Sequence, residues 1–552
     1  MIADIHITEK SFGDKTLMKD VKFSVDDGEK VGVVGRNGVG KSTLFGILSG
    51  KDTDYTGEVI FRRGITVTTT AQEHHGLGDQ TVMSYILGGL PEYSKLKKII
   101  DEYPLTMGDN MRKIEEYTQA LERFDQKGFY QVEEKIEREL SNFQLEGFGN
   151  RKIFSLSGGQ KRLVEIVKIM HSEAHLALID EPTNHMDYVA KQQFIDWMNS
   201  QPHQAMLIIT HDRDVLGQVD RIVEIKDGQA VSYRGNYDAY LKQNAQATTA
   251  GMNNFEQIEK RIVNLKQKVL DYQRLKEKSR NPGTIQKFKR LENEARAELA
   301  ELSEMEKPTF WIDKESVGQL DYKSAERYGK FKSRNIRLSV KDASSRSQHV
   351  LVRAENVAVG IGERILFEDV NIDLREGEAI EIRGRNGAGK TTLIRMILAS
   401  GKSFDGGPVL YSGDIFLDPQ VRIGVCEQEI DERYLSDPLE KAIEKLYMSR
   451  DLSISDTKIR QLLADYLFTD ADRMTPLARL SGGQKARFQI IAMLANDPQL
   501  LILDEPTNHL DLPSIEELET ALAKYSGAIL YVSHDNYFRE KLGGKVAQIG
   551  AE

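Results

Sequence analysis

Short apolar runs recur along the chain, and residues with helical periodicity follow them. Val31–Val34, Leu176–Ile179 and Leu500–Leu503 are runs of the kind that form strands buried on both faces of a parallel sheet. They lie in two halves of the chain that repeat each other. The pattern predicts an α/β fold in which parallel strands alternate with helices, built twice.

Between the two halves the periodicity is that of a coiled coil. From about Gly251 to about Glu306, apolar residues recur in alternating steps of four and three. Asn281-Pro282-Gly283 interrupts the pattern, because proline cannot continue a helix. We therefore expect an antiparallel helical hairpin whose first helix has about 28 residues. The seam residues are Ile258, Ile262, Leu265, Val269 and Tyr272 on the first helix and Phe288, Leu291, Ala295, Leu299 and Leu302 on the second.

Specific motifs repeat in the same order in both halves. Each half has a phosphate-loop pattern, the sequence Leu-Ser-Gly-Gly-Gln, an apolar strand that ends in Asp-Glu, the sequence Pro-Thr-Asn-His and a His-Asp pair. This order predicts a first cassette over residues 1–245, a linker over 246–348 and a second cassette over 349–552. The linker holds the hairpin at about 251–306 and a return segment, whose aromatic residues we expect to pack on a cassette.

The first half also carries about 32 residues that the second half lacks. They lie at about 90–145 and show amphipathic helical periodicity. A helical arm inserted into the first cassette is therefore predicted.

Composition narrows the class of protein. The chain has 552 residues, of which 40% are hydrophobic and 29% charged, and its single cysteine is Cys426. This excludes an internal disulfide and a zinc site built from several cysteines. No apolar stretch approaches the ~18 residues that span a bilayer, and no signal peptide is recognisable. We therefore expect a cytoplasmic protein with neither a membrane nor zinc as partner.

Charge separates the linker from the rest of the chain. The formal net charge is −10, yet between Lys260 and Arg290 eleven basic residues accompany only two acids. A basic rod on an acidic body predicts a polyanionic partner, above all nucleic acid, and disfavours a solvated spacer. The candidate RNA-binding residues are Lys266, Lys268, Arg274, Lys276, Lys278, Arg280, Lys287, Lys289 and Arg290.

The two phosphate-loop patterns carry the most specific chemistry. Each follows a buried strand and precedes a helix, so that backbone N–H groups and a helix N-terminus surround phosphate oxygens. The lysine can reach the terminal phosphates, and the Ser or Thr after it can bind Mg²⁺. The residues are Gly35, Arg36, Asn37, Gly38, Val39, Gly40, Lys41, Ser42 and Thr43 in the first half, and Gly384, Arg385, Asn386, Gly387, Ala388, Gly389, Lys390, Thr391 and Thr392 in the second.

With these motifs the chain resembles the ABC-F family of ATP-binding cassette proteins. Leu-Ser-Gly-Gly-Gln together with the phosphate loop is specific for ATP-binding cassettes, and the fused pair with a basic hairpin linker is specific for the ABC-F branch. The resemblance implies two α/β P-loop cassettes in tandem, joined by a coiled-coil hairpin, with a small helical arm that meets a ribosomal protein in relatives. It also implies ATP hydrolysis, with ATP and Mg²⁺ as cofactors.

The resemblance further implies two composite sites, each closed by the Leu-Ser-Gly-Gly-Gln sequence of the opposite cassette. A glutamate would activate the attacking water, a histidine would contact the γ-phosphate, and an aspartate, a glutamine and the loop hydroxyl would hold Mg²⁺. Site one combines Ser42, Gln72, Asp180, Glu181 and His211 with Ser481, Gly482, Gly483 and Gln484. Site two combines Thr391, Gln428, Asp504, Glu505 and His534 with Ser157, Gly158, Gly159 and Gln160.

The halves differ at two places near the loops. Counted back from the loop lysines, Phe12 aligns with Ile361, where the family usually has an aromatic ring that stacks on adenine. Because Ile361 offers only apolar contact, we predict weaker nucleotide discrimination at site two. Glu381 and Arg383 occupy one face of the strand before the second loop, where we expect them to pair.

The resemblance implies a ribosome partner, through rRNA and tRNA, and a monomer whose cassettes pair within one chain. In the closed form it would occupy the tRNA exit site, with the hairpin toward the peptidyl-transferase centre. A general translation factor is favoured over an antibiotic-resistance ribosome protection protein, because the tip at 278–284 lacks a bulky aromatic residue. The ATPase subunit of a transporter and a DNA-repair ATPase are less favoured alternatives, and a purely structural role conflicts with two intact sites.

Overall fold

The fold comprises two compact units. The computed structural model describes residues 1–13, 15–70, 79–108, 110–184, 186–303, 310–313, 316–317, 322–332, 335–338, 349–402, 407–427 and 430–550. One unit consists of Met1–Tyr237 together with Ile336–Glu552, and it holds both cassettes. The other is Asp238–Asn335.

Two sheets form the first cassette. A three-stranded antiparallel sheet has the order β2-β1-β4, and a six-stranded sheet has the order β5-β6-β7-β3-β8-β9, parallel except for β9. The strands are β1 Ala3–Phe12, β2 Lys15–Val25, β3 Lys30–Val34, β4 Thr56–Phe61, β5 Val67–Thr69, β6 Leu176–Asp180, β7 Ala205–Ile209, β8 Arg221–Lys226 and β9 Gln229–Arg234. Since β3, β6 and β7 are parallel neighbours, their carboxyl ends meet at one edge of the sheet.

Helices cover both faces of the six-stranded sheet. On one face α1 and the antiparallel sheet enclose Ile5, Val33 and Leu44. On the other face α2 and α5–α7 enclose a second core that includes Ile166 and Phe194. The helices are α1 Lys41–Leu48, α2 Val82–Gly88, α3 Tyr93–Thr106, α4 Met111–Gln126, α5 Val132–Asn142, α6 Gly158–His171, α7 Tyr188–Ser200 and α8 Arg213–Leu216. The arm predicted at about 90–145 corresponds to α3–α5, so the predicted helical insertion is confirmed.

The second unit is built on a long helical hairpin. Its helices are α9 Tyr237–Lys278, α10 Pro282–Ser303 and α11 Tyr322–Phe331. Leu265, Val269 and Ala295 are buried between α9 and α10, and the Tyr272 and Phe288 rings stack with centroids 6.4 Å apart. The coiled-coil seam is thereby confirmed.

Two details of the hairpin differ from the sequence prediction. α9 has 42 residues rather than about 28, because the alanine-rich stretch before Gly251 continues the helix through that glycine. Pro282 is the first residue of α10, where its missing N–H costs nothing. The Asn281 side chain accepts a hydrogen bond from the Gly283 N–H at 2.9 Å and caps the helix.

Aromatic residues of the return segment pack on α9. Met252 is buried against Ile312, Tyr328 and Phe331 within the second unit. The Phe255 and Phe331 rings meet edge to face, with centroids 5.7 Å apart. These aromatic residues pack on the linker's own first helix rather than on a cassette. Further along the return segment, Ile336 is buried in the core of the second cassette, as expected for that segment.

The second cassette repeats the first with a smaller helical part. Its sheets have the orders β11-β10-β13 and β14-β15-β16-β12-β17, the latter wholly parallel. The strands are β10 Val350–Ile361, β11 Arg364–Arg375, β12 Ala379–Arg383, β13 Pro408–Leu417, β14 Ile423–Cys426, β15 Leu500–Asp504, β16 Ala528–Val532 and β17 Lys545–Gln548. The helices are α12 Lys390–Leu398, α13 Glu432–Leu435, α14 Leu439–Met448, α15 Asp456–Asp465, α16 Asp470–Arg473, α17 Gly482–Leu494, α18 Leu512–Ala523 and α19 Asn536–Leu542.

The strand before the second phosphate loop carries an ion pair. Arg383 donates from Nε and Nη2 to the two carboxylate oxygens of Glu381, both at 2.8 Å. Arg539 adds a third contact to Glu381, at 2.9 Å. The pairing expected from sequence is confirmed. Across the described ranges, no helix combines the length and apolar character needed to cross a bilayer.

Candidate active site

The phosphate loops of the two cassettes adopt the same conformation. In each, a buried strand ends and the chain turns through a glycine with positive φ, 101° at Gly40 and 99° at Gly389, directly before the helix. A Cβ at Gly40 would lie 3.1 Å from Met18 Cε, and one at Gly389 would lie 2.9 Å from the Phe367 ring. Both glycines are therefore needed for the turn and for the close approach of the loop.

The loop lysines are held by the loops themselves. Lys41 Nζ donates to the carbonyl oxygens of Gly35 at 2.7 Å and Arg36 at 3.1 Å. Lys390 Nζ donates to the corresponding carbonyl oxygens in the second cassette at 2.8 and 3.0 Å. Burial lowers the pKa of both ammonium groups. Each loop thus holds a nearly dry cation beside a helix N-terminus, an arrangement that attracts phosphate.

A hydroxyl and a carboxylate meet beside each loop. Ser42 Oγ donates to Asp180 Oδ2 at 3.1 Å, and Thr391 Oγ1 donates to Asp504 Oδ2 at 2.7 Å. Oxygen ligands of this kind suit Mg²⁺ next to phosphate. Thr43 and Thr392 lie in the first turns of α1 and α12. The predicted ligands Gln72 and Gln428 lie outside the described residues.

The glutamate after each aspartate has a strained backbone. The φ angles are 47° at Glu181 and 52° at Glu505, in the left-handed region that non-glycine residues avoid. His211 Nε2 lies 3.6 Å from Glu181 Oε1, and His534 Nε2 lies 3.4 Å from Glu505 Oε1. The His534 N–H also donates to Glu505 Oε2 at 3.1 Å. The two glutamate–histidine pairs therefore form alike at both sites.

Burial shifts the protonation of these pairs. It raises the pKa of Glu505 to about 7 and also raises the pKa of Glu181. It lowers the pKa of His534 to about 3, and burial together with Lys41 lowers the pKa of His211. Both histidines are accordingly neutral near pH 7, and each glutamate holds its proton more tightly than in water.

The Leu-Ser-Gly-Gly-Gln sequences begin helices, as expected. The Gln160 N–H donates to Ser157 Oγ at 3.3 Å, and the Ser157 N–H donates to Gln160 Oε1 at 3.0 Å. Ser481 and Gln484 form the same capping box at the start of α17. The free N–H groups of each first turn can receive an anion.

The first phosphate loop faces the capping sequence of the second cassette across a cavity. This cavity has a volume of about 680 Å³, within the range of small-molecule sites. From the first cassette it is lined by Asn37, Gly38, Gly40, Lys41, Ser42, Asp180, Glu181 and His211, and from the second by Ser481, Gly482 and Gly483. His211 Nδ1 and Nε2 are buried there without a hydrogen-bond partner among the described residues. Unsatisfied polar atoms beside a phosphate loop fit a bound nucleotide.

Two aspartates that the sequence interpretation missed tie the cassettes together. Asp511 Oδ2 accepts a hydrogen bond from the Asn37 N–H, and Asp187 Oδ2 accepts one from the Asn386 N–H, both at 3.1 Å. The signal was present in the sequence, because an aspartate is the second residue after Asn-His in both halves. Each aspartate places its own cassette against the opposite phosphate loop.

The predicted adenine-contact positions are equally exposed. Phe12 ends β1 with 56% of its surface exposed, and Ile361 ends β10 with 55% exposed. Lys10 Nζ lies 4.7 Å from the centroid of the Phe12 ring. One face of that ring is therefore covered by a cation, an arrangement without an equivalent at the aliphatic Ile361.

Most of the candidate RNA-binding residues are exposed on the hairpin. Lys276 and Arg290 are partly neutralised, since Lys276 Nζ lies 2.6 Å from Glu292 Oε2 and Arg290 Nε lies 2.8 Å from Glu294 Oε1. The sequence window stopped at Arg290 and so missed these acids. The exposed members are Lys266, Lys268, Arg274, Lys278, Arg280, Lys287, Lys289 and Arg290.

Comparison with known proteins agrees with this architecture. The ABC transporter family matches residues 18–184 and 367–508, one stretch in each cassette. The Bacillus subtilis protein YdiF is 30% identical over 100% of this chain and 80% of its own length. The ribosome protection protein VmlR of Bacillus subtilis is 28% identical over 96% of this chain and 83% of its own length. The energy-dependent translational throttle protein EttA of Mycobacterium tuberculosis is 28% identical over 96% of this chain and 88% of its own length.

These relatives match nearly the whole chain, linker included, and the family match falls on both cassettes. The paired phosphate loops and capping sequences give the chain the machinery of a nucleotide-hydrolysing enzyme. The chain is an ATP-binding cassette ATPase of the ABC-F family.

Proposed function

We propose that this ATPase closes its two cassettes around two ATP molecules, each with Mg²⁺, and that the closed form binds the ribosome and modulates translation. The observation that carries the proposal is the pairing of each phosphate loop with the opposite cassette, together with the exposed basic hairpin. Closure then depends on nucleotide, and a polyanion partner has a surface to bind.

The loop residues would bind the phosphates. In site one the loop N–H groups from Gly35 to Ser42 surround the phosphates, Lys41 supplies the cation, and Ser481 closes the site. Ser42, Asp180 and Gln72 would hold Mg²⁺, which neutralises phosphate charge when bound. Lys390, Thr391, Asp504, Gln428 and Ser157 have the same roles in site two. Phe12 and Ile361 would contact the adenine.

Glu181 and Glu505 would act as general bases. In site two, Glu505 accepts a proton from water as that water attacks the γ-phosphorus and the bond to the ADP oxygen breaks. Its pKa of about 7 suits a base that works near neutral pH. The neutral His534, 3.4 Å from Glu505, would donate a hydrogen bond to the γ-phosphate.

The partner is inferred from charge and from relatives. EttA is named for a role in translation and VmlR for ribosome protection. Exposed Lys and Arg on the hairpin suit rRNA and tRNA phosphates. We propose that the closed form occupies the tRNA exit site with the hairpin toward the peptidyl-transferase centre, as a cytoplasmic monomer with intramolecular cassette pairing.

The arm offers a second contact of different chemistry. Leu105 at the end of α3 and Met111 at the start of α4 are 86% and 75% exposed. Two apolar side chains on one helix connection suit a protein partner more than an RNA. We propose that the arm binds a ribosomal protein.

The test is sedimentation of the Glu181→Gln, Glu505→Gln chain with ribosomes in ATP and in ADP. Without a general base the closed state persists, so the protein is expected in the ribosome pellet with ATP and in the supernatant with ADP. Adding Lys41→Ala and Lys390→Ala to the same chain is the control, because closure then fails. Protein that stays in the supernatant in both nucleotides contradicts the ribosome proposal.

Charge reversal tests the hairpin separately. Lys278→Glu and Arg280→Glu in the Glu181→Gln, Glu505→Gln chain should weaken sedimentation with ribosomes and make it less dependent on salt. Lys458→Glu and Arg460→Glu on α15 are the matched control, since both side chains are exposed on a cassette helix. Equal losses in the two variants would assign the effect to net charge alone.

Protection against an antibiotic is the second candidate function. The similarity to VmlR favours it. However, the Phe288 ring stacks on Tyr272 inside the hairpin, so this aromatic side chain is held away from the polar tip. We therefore favour a general translation factor. Growth of a deletion strain on ribosome-targeting drugs distinguishes the two, because a protection protein alone would change drug sensitivity.

A further inference from the structure

The interface between the two cassettes is symmetric at the N-terminus of one helix in each cassette. α7 and α18 occupy corresponding places, and both begin after an aspartate that contacts the opposite phosphate loop. The two contacts, Asp187 to the Asn386 N–H and Asp511 to the Asn37 N–H, have the same length of 3.1 Å. At this level the cassettes are interchangeable.

One helical turn further, the symmetry is lost. Lys191 lies four residues after Asp187, and Ile515 lies four residues after Asp511. Lys191 is only 4% exposed, and Ile515 only 2%. Both therefore lie in the buried part of the interface, one as a cation and the other as an aliphatic side chain.

The Lys191 ammonium bridges the two cassettes. It donates to Asp214 Oδ2 at 2.7 Å and lies 3.2 Å from Asp212 Oδ2, both in its own cassette. It also donates to the His534 carbonyl oxygen of the second cassette at 2.8 Å. An ammonium has three N–H donors, and three acceptors surround this one. Burial alone lowers the pKa of Lys191, but Asp212 and Asp214 raise it above its ordinary value.

This bridge joins two segments, the one that begins at His211 of site one and the one that begins at His534 of site two. They are called here the His211 segment and the His534 segment. Asp212 and Asp214 lie one and three residues after His211 of site one. The acceptor in the other cassette is the carbonyl oxygen of His534 itself. The His534 N–H is held by Glu505 at 3.1 Å and its C=O by Lys191. An aliphatic Ile515 can form no hydrogen bond with the His211 peptide, so the bridge has no mirror image through that residue.

We propose that Lys191 is a positioning residue that couples the two ATP sites, by fixing the His534 segment of site two against the His211 segment of site one when the cassettes close. The inference rests on the proposed roles of these histidines and their glutamates. A buried ammonium that loses an acceptor is costly. Opening the interface removes the His534 carbonyl oxygen from Lys191. The conformation of one ATP site therefore affects the conformation of the other.

A second buried ion pair provides a matched control. Arg213 donates from Nη1 to Glu519 Oε1 at 2.8 Å, also across the cassettes, with both side chains less than 10% exposed. Glu519 lies on α18, and its partner Arg213 belongs to the His211 segment, between Asp212 and Asp214. The counterpart of Glu519 in α7 is Ile195. Glu519→Gln therefore weakens a second buried cross-cassette contact of the His211 segment, while the three contacts of the Lys191 ammonium stay in place.

The experiment is steady-state ATP hydrolysis by the full chain as a function of ATP concentration. The unchanged chain is expected to be cooperative, with a Hill coefficient between 1 and 2. Lys191→Met should bring the coefficient to about 1 and lower kcat about tenfold with little change in KM, in the usual range of coupling effects. Lys191→Arg keeps a cation and should retain cooperativity. Glu519→Gln should raise KM and leave the Hill coefficient unchanged.

The outcomes separate coupling from simple closure. An unchanged Hill coefficient in Lys191→Met, an equal loss of cooperativity in Glu519→Gln, or an unchanged chain with a coefficient of 1 would each overturn the proposal. If Lys191→Met does not fold, Asp214→Ala cuts the bridge on the site-one side and should give the same loss. Hydrolysis that persists at full rate in Glu181→Gln, Glu505→Gln would instead refute the proposed site roles and leave the cooperativity result standing.

Discussion

The two cassettes make the same contacts at their phosphate loops and have different residues in the strands before those loops. The loop lysines make the same carbonyl contacts within 0.1 Å, and the Asn37 and Asn386 N–H groups meet opposite aspartates at equal distances. In contrast, Gly32 in the first cassette stands where the second has the ion-paired Glu381. The comparison shows that the residues of the phosphate loops keep the same contacts, while the strand residues behind them can differ. The condition is that each buried charged side chain there has a partner.

The largest effect, on ATP turnover, is expected at the loop lysines, whose contacts agree closely between the cassettes. Lys41→Ala and Lys390→Ala each remove the buried cation of one loop, and each should lower ATP turnover at least about hundredfold at its own site. Single-turnover hydrolysis measures this when the other site carries its Glu→Gln change. Lys51→Ala, an exposed lysine just after α1, should leave turnover unchanged. A large difference between the two loop variants would break the equivalence of the sites.

The next effect concerns the stability of the second cassette and the ion pair at Glu381, where the first cassette has a glycine. Glu381→Ala leaves the Arg383 and Arg539 guanidinium groups without their carboxylate, and should lower the free energy of unfolding of the second cassette by about 2 kcal/mol. Urea unfolding measures the change. Replacing Glu381 and Arg383 together by leucine should recover part of the loss. If Glu381→Ala unfolds at the same urea concentration as the unchanged chain, the ion pair contributes nothing.

The pH profile tests whether the two glutamates act alike. In Glu181→Gln only site two can hydrolyse, and Glu505 must lose its proton before it can act as a base. Because burial raises the pKa of Glu505 to about 7, kcat/KM should rise with pH up to about 7 and fall about tenfold per unit below it. The Glu505→Gln chain should show a similar acid limb from Glu181. A flat profile between pH 5 and 7 would exclude these carboxyls as the bases.

The smallest effect is expected at the adenine positions. Phe12→Ala should raise the KM for ATP at site one about fivefold, corresponding to the ~1 kcal/mol of a ring-stacking contact. Ile361→Phe should strengthen ATP over GTP at site two by a similar factor. Equal nucleotide preference at the two sites of the unchanged chain would contradict the predicted weaker discrimination at site two.

Much of this organisation could be predicted from sequence because the motifs are local. Strand, loop and helix around Lys41 follow one another within the chain, and the seam at Leu265 and Val269 follows from periodicity. The first residue of α9 could not be predicted, because the alanine-rich residues before Gly251 do not show the coiled-coil periodicity. The Asp187 and Lys191 contacts were also missed, because they depend on which residues the opposite cassette presents, and a single sequence gives no distances between its halves.

The left-handed backbone at Glu181 and Glu505 has an evolutionary consequence. A glycine at either position would adopt that φ without strain, and would also remove a carboxyl from a dry environment. The fold would gain stability from losing its own catalytic carboxylates, the usual direction of a stability–activity trade-off. In a gene copy released from selection for hydrolysis, drift at these two codons would meet no resistance from folding, and it would lead toward a protein that still binds nucleotide and closes but no longer reopens.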